Sequence, residues 1–272
     1  MYNEEMNAIC HSAEKKIGLY NKGITKYIMI SLLGGLFVGL GVMLLYTIGG
    51  ILDHANYAGT KIVMGVSFGV ALSLVMMAGV DLFTSNSLVM SIGALYKKVT
   101  VLDMVKILLA SYIGNIIGSF IGAFVYVQSN AGASYVKEYI VKSAEMKMTT
   151  AGPELFFKGI LCNILVCLAA WCMYKLKSES AKLIMIFWCL YTFITAGFEH
   201  SIANMTLFSM SLMLPHTGTA VSLMGAAHNL LWVSIGNFIG GTLFLALPLY
   251  YIAKNKEDSV VNIKDRKKSL IK

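Results

Sequence analysis

Charged residues are scarce in this 272-residue sequence, at 13% of the chain, whereas a soluble globular domain carries roughly 25%. Such a small number of charges cannot cover a water-facing surface of this size, and 57% of the residues are hydrophobic. The composition therefore excludes a soluble enzyme, a disordered protein and a nucleic-acid-binding domain. No nucleic acid is expected as a partner, so the net charge of +8 needs another explanation.

Proline and cysteine are also few, with three prolines and five cysteines in the whole chain. Cys162, Cys167 and Cys172 recur at five-residue spacing in an apolar run. No histidine or further cysteine stands where it would complete a metal site. We interpret these cysteines as small packing residues, and we expect no metal, no cofactor and no disulfide framework.

Long apolar stretches dominate the rest of the chain, and each is long enough to cross a bilayer, which takes roughly 20 residues. They lie at roughly 27–52, 62–96, 104–127, 155–174, 183–214 and 222–253. Six crossings place both termini on one side of the membrane, and 17 of the 22 lysines and arginines fall on that side. The positive-inside rule then places both termini in the cytoplasm, and the excess positive charge is an orientation signal.

The second and fifth stretches are too long for one crossing and too short for two. Each contains an acid near its middle, directly after the same dipeptide: Ala78-Gly79-Val80-Asp81 and Ala196-Gly197-Phe198-Glu199. Glycine commonly ends a helix in the left-handed conformation, and a polar residue suits the start of the next helix. The pattern predicts two broken helices whose breaks face the protein interior. Two long tilted helices with buried neutral acids are the alternative.

A second sequence match indicates an internal repeat. Ile113-Gly114-Asn115-Ile116-Ile117-Gly118 in the third span resembles Ile235-Gly236-Asn237-Phe238-Ile239-Gly240 in the sixth, at an offset of 122 residues, and the broken-span motif repeats at 118. Spans one to three and four to six therefore form two copies of one unit. A unit with three crossings must insert its second copy upside down, which predicts an inverted repeat with its broken helices meeting near the midplane.

Two facing breaks of this kind predict a pore or a carrier site. Polar residues follow each break: Thr84, Ser85 and Asn86 after the first, His200, Ser201 and Asn204 after the second. Large apolar residues surround them: Phe68, Leu72, Leu82, Phe83, Phe193 and Phe198. Apolar constrictions can stop bulk water and ions while a weakly hydrated solute passes. Helix N-termini favour an anion, and Lys147 on the outer side could raise the local anion concentration.

His200 is the one histidine deep within an apolar span. A structural histidine is the common interpretation of such a residue. Here His200 stands at a break, beside Glu199, in a position to approach Thr84. A neutral imidazole could give a proton to a passing weak-acid anion.

Two other functions fit part of these observations. An aquaporin-like channel for neutral solutes shares inverted half-helices, but neither Asn86 nor Asn204 stands in an Asn-Pro-Ala triplet. A membrane-embedded enzyme could use Asp81, Glu199 and His200 for acid–base chemistry, but no nucleophile–base or metal-ligand spacing accompanies them. We therefore expect that the protein is not an enzyme, and a proton-coupled anion carrier remains an alternative to a channel.

Three segments resemble the formate/nitrite transporter family. Residues 78–85 resemble its loop motif in the second span, residues 157–169 resemble its fourth-span signature, and residues 198–205 resemble its broken fifth span. The similarity covers nearly the whole chain outside the tails and is greatest to the hydrosulfide-channel branch of anaerobic bacteria. It implies an all-α protein of the bacterial inner membrane, assembled as a homopentamer, with an aquaporin-like pore in each protomer for formate, nitrite or hydrosulfide.

The resemblance also implies a role for each candidate site residue. Thr84 and His200 would form the central polar pair, supported by Lys147, Asn163, Glu199 and Asn204. Phe68, Val166 and Phe193 would form one constriction, and Leu72, Leu82 and Phe83 the other. These residues do not distinguish hydrosulfide from formate.

The chain thus divides into three predicted parts: a cytoplasmic amphipathic segment at 1–26, a six-span channel domain at 27–253 and a basic cytoplasmic tail at 254–272. In the first part, Met6, Ile9, Ala13 and Ile17 fall at helical spacing. This spacing predicts a short helix lying at the membrane surface, with a frayed tail as the alternative.

Overall fold

The structure, a computed structural model, describes residues 2–254 and contains no β-strand among them. The helices are α1 Asn3–Lys22, α2 Ile24–His54, α3 Thr60–Ala78, α4 Phe83–Leu95, α5 Val101–Gln128, α6 Ser134–Thr149, α7 Gly152–Lys175, α8 Glu179–Ala196, α9 Ser201–Met213, α10 Leu223–Gly241 and α11 Leu247–Ala253, with a π-helical turn at Thr242–Ala246. The all-α prediction is confirmed.

Within residues 2–254, six helices are long and apolar enough to cross a membrane: α2, α3, α5, α7, α8 and the continuous α10–α11 unit. Two shorter apolar helices, α4 and α9, complete the second and fifth spans. The six predicted stretches are confirmed, with their ends displaced by a few residues.

Both predicted breaks are present at the predicted dipeptides. The α3 helix ends at Ala78 and is followed by Gly79 at φ 66°, and α8 ends at Ala196 and is followed by Gly197 at φ 76°. A side chain is strained at such a positive φ, so glycine ends each helix here. The residue after each acid, Leu82 or His200, is extended, and α4 then begins at Phe83 and α9 at Ser201.

The Gly-x-x-x-Gly stripes pack helices closely in each half of the molecule. A Cβ added at Gly118 would lie 1.9 Å from the carbonyl oxygen of Leu32, and one at Gly236 would lie 2.3 Å from that of Phe156. The α5 helix therefore lies directly against α2, and α10 lies against α7. Only glycine permits this backbone approach.

The N-terminal helix was predicted, but its surroundings differ from the prediction. The apolar side of α1, which includes Met6, Ile9 and Ala13, is buried against the protein and not laid on a lipid surface. A Cβ added at Gly93 in α4 would lie 2.6 Å from that of Ala13. Glu5 is paired with Lys175 at the end of α7 at 2.6 Å, and this lysine lowers the pKa of the Glu5 carboxyl.

Two elements were not predicted. The α6 helix is too polar to register as a span, yet it buries an apolar stripe that includes Val136, Ile140, Ala144 and Met148. The π-helical turn lies just before Pro248. In an ordinary α-helix the ring of a proline clashes with the carbonyl group four residues earlier. The predicted basic tail at 254–272 lies outside the described residues, apart from Lys254.

Candidate functional site

An asparagine from the repeated Ile-Gly-Asn motif holds the first break in place. Asn115 is buried; its amide donates to the carbonyl oxygens of Ser31 and Asp81 at 2.6 and 3.0 Å, and its oxygen accepts the N–H of Phe83 at 2.9 Å. It therefore satisfies backbone groups that the broken helix leaves unpaired at membrane depth.

Asn237 forms the same set of bonds at the second break. Its amide donates to the carbonyl oxygens of Gly159 and Glu199 at 2.8 and 2.9 Å, and its oxygen accepts the N–H of Ser201 at 3.0 Å. The motif that the sequence indicated as a repeat thus supplies equivalent contacts in both halves. These two asparagines are functional residues whose role sequence reasoning missed.

Each acid at a break forms an ion pair with a lysine from an amphipathic helix. Asp81 accepts from Nζ of Lys16 in α1, and Glu199 accepts from Nζ of Lys147 in α6, both at 2.7 Å. The second carboxylate oxygen of Glu199 accepts from the amide of Asn204 at 2.7 Å. Both acids are buried, so each lysine compensates a carboxylate that would otherwise be very costly there.

A sequence match that would have located α6 and these lysines was missed. Residues 12–16 read Ser-Ala-Glu-Lys-Lys and residues 143–147 read Ser-Ala-Glu-Met-Lys, at an offset of 131. The repeat therefore begins with an amphipathic helix in each copy. The first and fourth spans align at an offset of 128, because Ser31 and Gly159 both accept from the motif asparagines.

Thr84 and His200 meet between the two breaks, as the sequence predicted. Nδ1 of His200 accepts the N–H of Ala203 at 3.1 Å and thereby caps α9. The neutral ring then carries its proton on Nε2, which lies 3.1 Å from Oγ1 of Thr84 and donates to it. The threonine hydroxyl makes no other hydrogen bond among the described residues, so its own proton can be donated to another acceptor.

The surroundings of this pair are apolar. His200 lines a small central cavity of about 10 Å³, close to the minimum for one water molecule. The ring of Phe193 lies parallel to the imidazole with centroids 6.0 Å apart. The other lining residues are Val38, Phe68, Ala71, Leu72, Leu82, Val166 and Leu190. The structure thus gathers five of the six predicted constriction residues around one cavity.

Phe83 is the constriction residue that the structure places elsewhere. It packs edge-on against Tyr112 of α5 with ring centroids 5.0 Å apart, and it lines neither the central cavity nor the two vestibules described next. The direction in which the first side chain of a half-helix points depends on the geometry of the break, and the sequence pattern does not give that geometry.

Wide cavities lie on both sides of the central one, and we name them the outer and inner vestibules after the orientation predicted from the lysine distribution. The outer vestibule, of about 260 Å³, contains Lys61, Lys147, Lys158 and Glu199 among its lining residues. A narrow cavity of about 20 Å³ leads from this vestibule to His200 and is also lined by Asn204. The inner vestibule, of about 360 Å³, contains Lys15 and Lys16.

The remaining predicted polar residues, Asn163 and Asn86, form hydrogen bonds with protein groups around the central pair. The amide of Asn163 donates to the carbonyl oxygens of Thr84 and Asn237, with the Thr84 contact at 3.2 Å, and to Oγ of Ser87 at 2.9 Å. It therefore joins α7 to the half-helix α4 and to α10, and it faces no cavity named above. Asn86 donates to the hydroxyl of Tyr27 at 3.3 Å.

Metal binding finds no support in the part of the chain that the structure describes. No group of three histidine, cysteine or acidic side chains is arranged there to hold an ion. The five cysteines are buried as free thiols within residues 2–254.

Comparison with known proteins connects this geometry to a family. The family model described as formate/nitrite transporter matches residues 3–251. The chain belongs to the formate/nitrite transporter family. It is 37% identical over 258 residues to the nitrite transporter NirC of Salmonella typhimurium, with 94% of each chain covered. The relatives found are transporters and channels, in agreement with the expectation that this member of the family is not an enzyme.

Solved structures agree with this assignment. A protein described as an FNT family ion channel superposes with a TM-score of 0.86 at 35% identity, covering 92% of this chain and 99% of that one. A pentameric formate channel with formate bound gives a TM-score of 0.75 at 25% identity, covering 85% and 98%. The membrane fold with two broken helices is therefore the fold of this family.

Proposed function

We propose that this protein is a channel for small monovalent anions, with a pore in each protomer of a homopentamer. The observation that carries the proposal is the contact between Nε2 of His200 and Oγ1 of Thr84, which lies beside an apolar cavity between two half-helix N-termini. His200 donates to the threonine oxygen and leaves the threonine proton free, and such a donor in a dry passage suits a single weakly hydrated anion.

The lysines provide the attraction on both sides. Lys61 and Lys147 line the outer vestibule, and Lys15 and Lys16 line the inner one. Because Lys147 and Lys16 are paired with Glu199 and Asp81, the net positive charge at the two ends comes from Lys61 and Lys15, which have no carboxylate partner within residues 2–254. Such charges raise the local concentration of anions. The apolar residues between them, including Phe68, Leu72 and Phe193, exclude hydrated ions.

The central pair then serves an anion that has lost most of its water. The hydroxyl proton of Thr84, whose oxygen accepts from Nε2 of His200, replaces a hydrogen bond from water. Glu199 and Asn204 hold the outer side of this region, and Asn163 fixes the backbone of Thr84. Leu82 and Val166 complete the constriction around the pair.

Formate and nitrite are the anions that the names of the related proteins support. Hydrosulfide is supported by the sequence resemblance to its channel branch. The pentameric formate channel among the structural relatives supports the homopentamer, and the distribution of lysines supports a cytoplasmic position for both termini in a bacterial inner membrane.

Flux measurements on purified protein in liposomes test this function. We expect wild-type protein to pass formate, nitrite or hydrosulfide and to show low permeability to water and glycerol. His200→Ala and Thr84→Ala should change the rate or its pH dependence, because each removes one of the central donors. Unaltered transport by both variants would refute the assigned roles, and high glycerol permeability would favour a neutral-solute channel.

A further inference from the structure

The two vestibules are equivalent in more than their lysines. Ser12 and Lys16 line the inner vestibule, and their counterparts 131 residues later, Ser143 and Lys147, line the outer one. At the offset of 128 residues that relates the first and fourth spans, the counterpart of Tyr46 is Tyr174. Tyr46 lines the outer vestibule and Tyr174 lines the inner one.

The hydroxyl groups of these two tyrosines differ from those of structural tyrosines in this fold. Neither the Tyr46 nor the Tyr174 hydroxyl makes a hydrogen bond with any residue in the described range 2–254. By contrast, the hydroxyl of Tyr112 is bonded to Ser234 at 3.0 Å and joins two spans. A polar group beside a vestibule with no protein partner is available to a solute.

Tyr46 also stands at the point where the passage narrows. It lines both the outer vestibule of about 260 Å³ and the narrow cavity of about 20 Å³ that reaches His200. A solute that moves from the first cavity into the second must lose most of its water. The ammonium of Lys147, which lines both cavities, already binds Glu199 at 2.7 Å.

We propose that Tyr46 and Tyr174 are a pair of anion-positioning residues, one at each end of the dry passage, whose hydroxyls donate to the anion as it loses its water. The assignment rests on the proposed function and adds an outer and an inner binding step to the central pair. The ligand is a small monovalent anion that accepts hydrogen bonds. The lysine supplies attraction at long range, and the tyrosine supplies a directed donor at contact distance.

Tyr46→Phe and Tyr174→Phe test the proposal, because each removes the hydroxyl and keeps the ring. We measure formate and hydrosulfide flux in liposomes at a mildly alkaline pH, with the flux of protein-free liposomes subtracted. Each variant loses a hydrogen bond to the charged anion, and a bond from water replaces part of it. We expect this loss to lower the formate flux about 3- to 10-fold. Hydrosulfide spreads its charge over a large sulfur atom and accepts hydrogen bonds weakly, so its flux should fall less.

The ratio of formate to hydrosulfide flux is the decisive readout, because a change in folded protein or in its amount alters both fluxes equally. Tyr251→Phe serves as the matched control, since this tyrosine is 82% exposed and lines neither vestibule. We expect the ratio to fall in Tyr46→Phe and Tyr174→Phe and to stay at the wild-type value in the control.

Unchanged ratios in both variants, with wild-type protein conducting, would overturn this inference and leave the proposed function standing. Equal losses of both fluxes in the variants would also overturn it, because they indicate a structural role. Wild-type protein that passes no small anion would instead overturn the proposed function itself.

Discussion

The hydrogen bonds that Asn237 forms at the second break give the most specific stability prediction. Asn237→Ala removes the donors to the carbonyl oxygens of Gly159 and Glu199 and the acceptor for the N–H of Ser201. These backbone groups lie where no lipid or bulk water can replace the lost bonds. The carbonyl of Gly159 keeps its helical bond within α7, so the variant leaves two buried polar groups, the Glu199 carbonyl and the Ser201 N–H, without partners.

The size of the effect follows from these contacts. A buried donor or acceptor left unpaired costs about 1–3 kcal/mol. Two such groups give about 2–6 kcal/mol, and partial relaxation of the neighbouring helices reduces the sum, so we expect a loss of about 2–5 kcal/mol in the free energy of unfolding. This loss is a large part of the roughly 5–15 kcal/mol that stabilises a typical protein.

Denaturant titration in mixed micelles measures the free energy of unfolding, and size-exclusion chromatography reports the oligomer. Asn115→Ala should cause a similar loss, because Asn115 makes the equivalent bonds at the first break. Asn7→Ala is the control, since Asn7 is exposed on α1. Wild-type stability of Asn237→Ala would refute the conclusion that this side chain holds the break.

Three further predictions concern charge and packing. Lys61 lines the outer vestibule with no carboxylate partner in the described part of the chain, so Lys61→Gln should lower anion flux about two- to fivefold at low ionic strength and much less at high salt. Lys16→Met should destabilise the protein by about 2–4 kcal/mol in the same titration, because it leaves Asp81 buried and unpaired, and the added change Asp81→Asn should recover most of this loss. Gly118→Ala should lower the melting temperature of the oligomer, because its Cβ would lie 1.9 Å from a carbonyl oxygen of α2.

Matched variants control two of these predictions. Lys142 is exposed and does not line the outer vestibule, so Lys142→Gln changes the net charge equally and should leave the flux unaltered. A Cβ at Gly18 meets no atom within 4 Å, so Gly18→Ala should keep or slightly raise the melting temperature. Salt-independent loss in Lys61→Gln, or equal melting of the two alanine variants, would contradict the respective predictions.

The breaks were predictable because their causes are local. A glycine at positive φ ends each helix, and the acid follows two residues later. The partners of those acids were not predictable in the same way. Lys16 lies 65 residues from Asp81 in the chain, and only the folded arrangement of α1 against the bundle brings the two together.

The central pair and the constriction followed from family resemblance and position relative to the breaks, and the structure brings Thr84 and His200 into contact. One feature required the fold. Phe83 packs against Tyr112, because the rotation of α4 about its axis decides which side chains face the cavity. The α6 helix gives no membrane-span signal because it is polar and amphipathic, and the match between residues 12–16 and 143–147 is the sequence signal that indicates it.

The most direct test of the account is whether a plug in the central cavity stops transport. Val166 lines that cavity with almost no exposed surface, so Val166→Trp should fill it, and Val38→Trp should do the same from the other repeat. We predict that formate flux in liposomes falls to the protein-free level while the oligomer remains intact on size-exclusion chromatography. Flux at the wild-type rate from either intact variant would show that anions do not cross each protomer between His200 and its apolar neighbours.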